Sequence, residues 1–256
     1  MRQTTLYEFP LNEKMRNLMR LENQFAQLQH FAAGTSAWDS QASLMILLEI
    51  VNSIEKNDIK NETTKELERN IGILNAFSDI PEINIYKLQQ TLETLHTHLR
   101  AMQNINGKIL RPLREEALLN AIRQRTALGT TINCVEIPSF YYWINQTSVY
   151  RQQQLKQWFE EIQPISAAII MLLNLARSSA TFTAEIAENG FFQKALNTQY
   201  TCQMVRIEMP QDLPYFPEIS GSKHRISVRF LTYTNTHTRP IQAPDDIEFA
   251  VSCCGI

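Results

Sequence analysis

The spacing of apolar residues changes near residue 190, and this change limits what the chain can fold into. Before it, apolar residues mostly recur every three or four positions, as on a helix face, whereas from Tyr200 onward they alternate. The chain therefore predicts an α+β fold, with a mainly helical domain and an antiparallel β-domain. After a first helix that carries Met15, Leu18 and Leu21, we predict helices at 42–55, 63–77, 84–102, 112–127, 149–162 and 164–187. The predicted strands are 4–9, 131–137, 200–209, 225–234 and 246–253.

The two predicted domains interleave along the chain. The helical domain spans 10–190, and the β-domain combines 198–254 with the N-terminal strand, residues 1–9. The strand near 131–137 is expected to join the sheet from inside the helical segment. Leu residues spaced four and three apart along 88–102 form a short seam, which suits packing inside the helical domain and is also a candidate dimer surface.

Composition restricts the kinds of partner. A net charge of −2 argues against a general binder of nucleic acid or of membrane surfaces, so any basic site must be local. The longest apolar run, Ile165–Leu175, is far shorter than the roughly 20 residues of a membrane span. With no secretory signal after Met1, we expect a cytosolic protein with reduced cysteines.

The first local basic cluster lies on the first helix. Arg16 and Arg20 are one turn apart, on the side opposite the apolar face. Like charges at this spacing repel each other by roughly 0.2–0.5 kcal/mol, and an acidic neighbour or ligand would relieve that repulsion. The alternative is an ordinary solvated face, with Glu13 beside Arg16.

The second basic cluster lies on a predicted strand. Lys223, Arg225 and Arg229 point to one face, and Ile226, Val228 and Phe230 point to the other. Such a face suits an acidic peptide, a phosphate or RNA. The alternative is neutralisation by a neighbouring strand, because Asp246 and Glu248 alternate in the same way.

Catalytic, metal and cofactor motifs are not found. The sequence has no G-x-G-x-x-G or G-x-x-x-x-G-K-[ST] pattern. His96 and His98 point in nearly opposite directions from a helix, and the adjacent Cys253 and Cys254 leave a strand on opposite faces. Cys134 has no local signature of a nucleophile. The residues therefore indicate no metal and no cofactor, and an enzyme that uses Cys134 stays an alternative with no motif to support it.

Three segments and the C-terminal pattern together resemble the ZapD family of Z-ring-associated bacterial division proteins. The segments are Tyr7–Glu22 (YEFPLNEKMRNLMRLE), Leu113–Glu115 with Arg123–Arg125, and Pro217–Phe230, and the terminal pattern is Phe249-x-x-x-Cys253-Cys254. The resemblance implies a non-enzymatic, cytoplasmic homodimer at the mid-cell division ring. Such a protein would bind the C-terminal tail of the tubulin-like GTPase FtsZ and bundle its filaments.

The resemblance also assigns binding residues. Arg16, Arg20, Lys223, Arg225 and Arg229 stand at basic positions of the family pattern, and they would meet in one pocket if the N-terminal strand joined the sheet. A second basic group is Arg114, Arg123 and Arg125, for which the alternative is pairing with Glu115 and Glu116 on the helix surface. The family often has His where this chain has Tyr142.

An RNA-binding module is the alternative function. It would use the strand face 223–229, with Tyr215, Phe216 and Phe230 as stacking partners. Phe230 falls on the face opposite the arginines, and the net charge is unfavourable for RNA, so tail binding is the preferred hypothesis.

Overall fold

The structure is a computed structural model that describes residues 3–78, 80–81, 83–105, 110–126, 136–196, 201–222, 224–233 and 238–255. Its helices are α1 (Glu13–Ala32), α2 (Ala37–Lys56), α3 (Ile59–Ala76), α4 (Ile85–Asn104), α5 (Arg111–Glu115), α6 (Ala117–Thr126), α7 (Pro138–Ile144), α8 (Ser148–Glu160) and α9 (Gln163–Ser178). Its strands are β1 (Thr4–Pro10), β2 (Thr183–Ala187), β3 (Phe191–Ala195), β4 (Met204–Pro210), β5 (Phe216–Gly221), β6 (Arg225–Thr232), β7 (Ile241–Gln242) and β8 (Ile247–Cys254). The α+β prediction is confirmed.

The strands form two antiparallel sheets. Sheet A has the order β1-β4-β8-β2, and sheet B has the order β3-β6-β5, with β7 pairing beside β6. The N-terminal strand joins sheet A, because β1 pairs with β4 along its whole length, from Thr4 opposite Pro210 to Pro10 opposite Met204. The recruitment of this strand to the β-domain is confirmed.

The two sheets share one apolar core. Alternate residues of β4, β6 and β8 are buried together, and they are Val205, Ile207, Met209, Ile226, Val228, Phe230, Ile247, Phe249 and Val251. The ring centroids of Phe230 and Phe249 are 5.0 Å apart, which joins the sheets across the core. Full burial of an aromatic or branched side chain stabilises a fold by about 1.5–3 kcal/mol, so these positions fix which face of each strand points inward.

An ion-pair cluster lies on the other face of sheet A. Glu8 on β1 accepts hydrogen bonds from Arg177 at the end of α9 (2.8 and 2.9 Å) and from Arg206 on β4 (3.0 Å). All three side chains are largely buried. Charge-assisted bonds of this kind are stronger than neutral ones and tie the first strand to its neighbour.

By their internal contacts the residues separate into two units. The β-unit comprises Met1–Met19 and Leu173–Ile256, and the helical unit comprises Arg20–Leu172. Within the helical unit the buried Arg151 donates hydrogen bonds to Ser40 Oγ (2.9 Å) and to the carbonyl oxygens of Thr35 (2.9 Å), Ile144 (3.1 Å) and Gln146. The seam of α4 faces this unit's own interior, since Leu88, Leu95 and Met102 are buried.

Several predicted helix ends are wrong. The first turn of α2 begins earlier than predicted, because Ser36 and Asp39 form a capping box before the apolar run. The predicted start at Thr63 lies inside α3, where Thr63 is buried. One predicted helix at 112–127 is two short helices, α5 and α6. Asn84 caps α4 as predicted, accepting a hydrogen bond from the backbone N–H of Lys87.

The predicted helix 164–187 is wrong beyond residue 178. There α9 ends, and β2 follows as an edge strand of sheet A. Its sequence, TAEIA, contains Ala and Glu, which favour helices in isolation, and pairing with β8 overrides that preference. The strands β3 and β5 were also not predicted. Most of the predicted strand 131–137 lies outside the described residues, and its last two residues, Glu136 and Ile137, lead into α7.

Among the described residues no single helix is long and apolar enough to span a membrane. The helices α8 and α9 reach that length and hydropathy only when taken together, and the pair is bent by 64°.

The turn between β2 and β3 carries the chain from one sheet to the other. Asn189 and Gly190 both have positive φ (48° and 71°). The carbonyl oxygen of Gly190 accepts a hydrogen bond from the N–H of Phe230 (2.8 Å), so this backbone lies close against β6. A Cβ at Gly190 would lie 2.6 Å from the carbonyl oxygen of Ala243.

Replacing Gly190 with alanine is therefore expected to destabilise the β-unit. The left-handed backbone and the close contact together predict a loss of about 2 kcal/mol or more in the free energy of unfolding, measured by urea denaturation. The matched control is Gly72→Ala on α3, where an added Cβ meets nothing within 4 Å. That change should stabilise α3 by about 0.5–1 kcal/mol. Equal effects of the two substitutions would contradict this account of Gly190.

Candidate partner-binding site

The exposed side of β6 carries two of the predicted cations. Ile226, Val228 and Phe230 are completely buried, while Arg225 and Arg229 are exposed, so the predicted alternation is confirmed. We call the outer side of sheet B around these two arginines the basic strand face. The third cation predicted there, Lys223, lies outside the described residues.

The strand register defines the neighbours of each arginine. Arg229 lies between Phe191 on β3 and Glu218 on β5, and it forms an exposed ion pair with Glu218. Arg225 lies beside Ala195 on β3. Within the part of the chain that the structure describes, no carboxylate lies within ion-pair distance of Arg225. Its guanidinium is therefore the more accessible of the two to an acidic ligand.

Neutralisation by a neighbouring acidic strand is ruled out for Asp246 and Glu248. The strand β8, which follows Asp246 and contains Glu248, pairs with β4 and β2 in sheet A and not with β6. Asp246 accepts a hydrogen bond from the backbone N–H of Asn189 (2.8 Å), and Glu248 is paired with Ile186 across the ladder. That hypothesis is wrong because the apolar faces of β6 and β8 meet across the core instead of lying side by side in one sheet.

An apolar group lies at one end of the same face. Phe216 is opposite Leu231 in the register, and its ring stacks on Tyr233 with centroids 5.3 Å apart. Tyr233 is 61% exposed and Phe191 is 42% exposed. The basic strand face thus changes from aromatic to cationic along β6. Phe191 and Tyr233 were not predicted, because no strand was assigned to 191–195 and Tyr233, although inside the predicted strand 225–234, was given no role.

Within the β-unit, the segment that leads into α1 contacts the end of β5 from the core-facing side of sheet B. The N–H of Leu11 donates to the carbonyl oxygen of Gln203 (2.8 Å), and the Leu11 side chain packs against the sandwich core. That side chain lies so close to Gly221, at the end of β5, that a Cβ there would come within 2.5 Å of it. Gly221 pairs with Ile226, the residue next to Arg225. The β5–β6 connection and the beginning of α1 are therefore neighbours.

The two arginines of α1 are both exposed, as predicted. Asn12 begins the helix, its side chain accepting a hydrogen bond from the N–H of Met15 (2.7 Å). Arg16 pairs with Glu13, its Nε 3.2 Å from the carboxylate, in a pair that is more than half exposed on both sides. Arg20 follows one turn later and belongs to the helical unit. Because β1 joins sheet A and β6 lies in sheet B, the expected shared sheet does not form, and Leu11 makes the link between α1 and the β5–β6 connection instead.

The second basic group has a structural partner that was not foreseen. Glu55 on α2 lies 2.6 Å from the Nε of Arg114 and 3.6 Å from Arg123. The hydrogen bond and the negative charge of Glu55 raise the pKa of Arg114. The predicted partner Glu115 pairs instead with Arg111 (2.6 Å). The predicted pairing of this basic group with Glu115 is therefore wrong, since Arg114 and Arg123 pair with Glu55. Both Arg114 and Arg123 line a groove of about 850 Å³, and Arg125 is exposed nearby on α6.

Other chemical groups are scattered over the described part of the chain. It contains no cluster of three or more His, Cys, Asp or Glu side chains arranged to bind a metal. His96 is exposed, and burial lowers the pKa of His98. Cys134 lies outside the described residues, and Tyr142 is exposed on α7. The basic strand face is the arrangement most suited to binding a partner.

Comparison with known proteins gives a consistent family. Residues 19–229 match the family model ZapD, described as a cell division protein. The chain is 37% identical over 254 residues to a Cell division protein ZapD of Methylococcus capsulatus, covering 99% of each chain. It is 32% identical over 254 residues to the Cell division protein ZapD of Coxiella burnetii, covering 99% of this chain and 98% of the relative. A third relative, from Aromatoleum aromaticum, is 32% identical over 250 residues. This chain therefore belongs to the ZapD family of cell division proteins.

Proposed function

We propose that this protein is a non-enzymatic division factor that binds the C-terminal tail of FtsZ. As a homodimer in the cytoplasm it would cross-link FtsZ filaments and stabilise the Z-ring at mid-cell. The observation that carries this proposal is the basic strand face, an exposed surface with arginines and aromatic side chains in one row on a family member with a net charge of only −2.

The dimensions and chemistry of the face suit a short peptide. From Arg225 to Leu231 the strand spans about 20 Å, the length of roughly six residues of extended chain. The planar guanidinium groups of Arg225 and Arg229 are suited to paired hydrogen bonds with carboxylates. Phe216 and Tyr233 offer apolar surface at the other end, and Phe191 lies beside Arg229. A tail with both acidic and apolar residues would use both ends of the face.

Each contact between one tail and one site is expected to be weak. A tail that is disordered when free loses conformational entropy on binding, which favours micromolar affinity. A dimer with two sites can still hold filaments together, because the second tail binds at high effective concentration. Weak individual contacts also allow the cross-links to rearrange as filaments turn over.

Two of the three residues predicted to stack on RNA bases make contacts within the fold instead. Phe230 is completely buried, and Tyr215 packs against the same core while its hydroxyl donates a hydrogen bond to Asp245. Tyr215 and Phe216 are both partly exposed. The accessible rings of the face (Phe191, Phe216 and Tyr233) suit either ligand, but a net charge of −2 is unfavourable for RNA, so the tail-binding proposal is the better supported.

The first test compares two forms of FtsZ. The purified protein is co-pelleted with GTP-assembled FtsZ of the same organism, either full-length or lacking the C-terminal tail. We expect thick bundles in the pellet with full-length polymer alone. Equal pelleting with both polymers would place the docking element outside the tail, and no pelleting with either would refute filament binding.

Charge reversal tests the predicted binding residues. Arg225→Glu and Arg20→Glu should each abolish bundling, because each replaces a cation with a carboxylate that repels the acidic tail. Lys156→Glu on α8 is the control, an exposed residue outside both basic groups that undergoes a similar change of charge. Circular dichroism and sedimentation of each variant report whether fold and dimer are intact. Normal bundling by a folded variant would exclude that arginine from the site.

The pair between Arg229 and Glu218 provides a test in the opposite direction. The two side chains are 56% and 51% exposed, so their ion pair stabilises the fold by no more than about 1 kcal/mol. Glu218→Gln removes the internal competitor for Arg229 and should tighten binding of a tail peptide by about two- to fivefold, measured by fluorescence anisotropy. Glu185→Gln on β2 is the matched control and should leave the affinity unchanged. Weaker binding by Glu218→Gln would mean that Glu218 itself contacts the tail.

A further inference from the structure

One end of the sandwich interior holds a group of reactive side chains that the proposed function does not use. Cys253 follows Phe249 and Val251 at alternate positions of β8, so its side chain lies on the core-facing side and packs at the edge of the apolar core. Lys194 on β3 pairs with the core-facing Ile226. Both Cys253 and Lys194 line a cavity of about 540 Å³. A thiol and an ammonium group therefore share one partly enclosed space.

A second thiol packs against the same core. Cys202 comes two residues before β4 and, like Cys253, is partly buried against the sandwich core. Cys202 also contacts the carbonyl oxygen of Met204 (3.5 Å). The adjacent Cys254 faces the other side of sheet A, where it is buried 3.3 Å from Ser252 Oγ. Cys202 and Cys253 thus form a pair from which Cys254 is separated by the sheet.

The surroundings favour ionisation of Cys253. The hydrogen bond from Cys202 and, to a smaller extent, the charge of Lys194 lower the pKa of Cys253 to about 7, although burial acts in the opposite direction. The same hydrogen bond and burial raise the pKa of Cys202, and burial raises that of Cys254. Lys194 also forms an ion pair with Glu185 (2.8 Å), so part of its positive charge is neutralised there. The lowered pKa increases the share of Cys253 that is thiolate, the nucleophilic form, at neutral pH.

We propose that Cys253 is a peroxide-reactive thiol and that Cys202 is its resolving partner. The Cys253 thiolate attacks one oxygen of hydrogen peroxide, the O–O bond breaks, and the departing hydroxide takes up a proton to become water. The resulting sulfenic acid is attacked by the sulfur of Cys202, which forms the disulfide and releases a second water. Two thiols are oxidised and one peroxide is reduced. Cys202 is not one of the paired residues of β4 and β8, so its backbone can shift when the S–S bond forms.

The site is tested with the purified protein and hydrogen peroxide. All variants carry Cys134→Ser, so that the thiols followed are Cys202, Cys253 and Cys254. Peptide mapping after limited peroxide treatment at pH 7 should find a Cys202–Cys253 disulfide in this parent. Cys202→Ser should instead accumulate a dimedone-reactive sulfenic acid at Cys253, Cys253→Ser should give neither product, and Cys254→Ser should behave like the parent.

The rate of alkylation gives an independent readout that needs no disulfide. Iodoacetamide should modify Cys253 at least about tenfold faster than Cys254 at pH 7, with a half-maximal rate near pH 7. Cys202→Ala should move that midpoint to higher pH, and Lys194→Gln should move it less. Oxidation or alkylation of Cys254 as fast as Cys253, or a midpoint unchanged in folded Cys202→Ala, would overturn the proposal. FtsZ takes no part in either experiment, so their outcome is independent of tail binding.

Discussion

The position of every outward residue on sheet B depends on the burial of three apolar side chains of β6. Ile226, Val228 and Phe230 occupy the sandwich core, and the strand's period of two then places Arg225 and Arg229 in solvent. A slip of one residue would bury two guanidinium groups and expose the core residues, which costs far more than any surface contact returns. The basic strand face is therefore as rigidly specified as the core itself. This rigidity is what a docking surface for a disordered peptide needs.

The first strand has a comparable role for the start of α1. Glu8 is held by Arg177 and Arg206 on one face of sheet A, and Leu11 leaves the strand against Gly221. These contacts join a largely buried charge cluster to the β5–β6 connection through a few residues of chain. The helix α1, which carries Arg16, thereby begins at a fixed distance from the sandwich. The arginines in this cluster stabilise the fold, whereas those on β6 are exposed on the outer side of sheet B.

Sequence patterns predicted the elements whose local and tertiary preferences agree. The alternation of β6 and the apolar spacing of α1 each follow from one buried face, and both were predicted correctly. The strand β2 was missed because its Ala and Glu residues favour a helix until β8 pairs with them. The partnership of Arg114 with Glu55 joins positions 59 residues apart, and a local charge pattern cannot reveal such a pairing. Similarly, the aromatic end of the basic strand face became apparent only from the register of β3, β5 and β6.

The order of strands in sheet A has a consequence for biosynthesis. The interior position between β4 and β2 is filled by β8, which follows both strands in the chain and so leaves the ribosome after them. Until then, β2 has no neighbour in its sheet, and one side of β4 lacks its partner. The helical unit, encoded between β1 and β2, has all its residues available much earlier. Nascent chains thus carry unpaired strand edges until β8 has been synthesised, the interval in which chaperones have most reason to act.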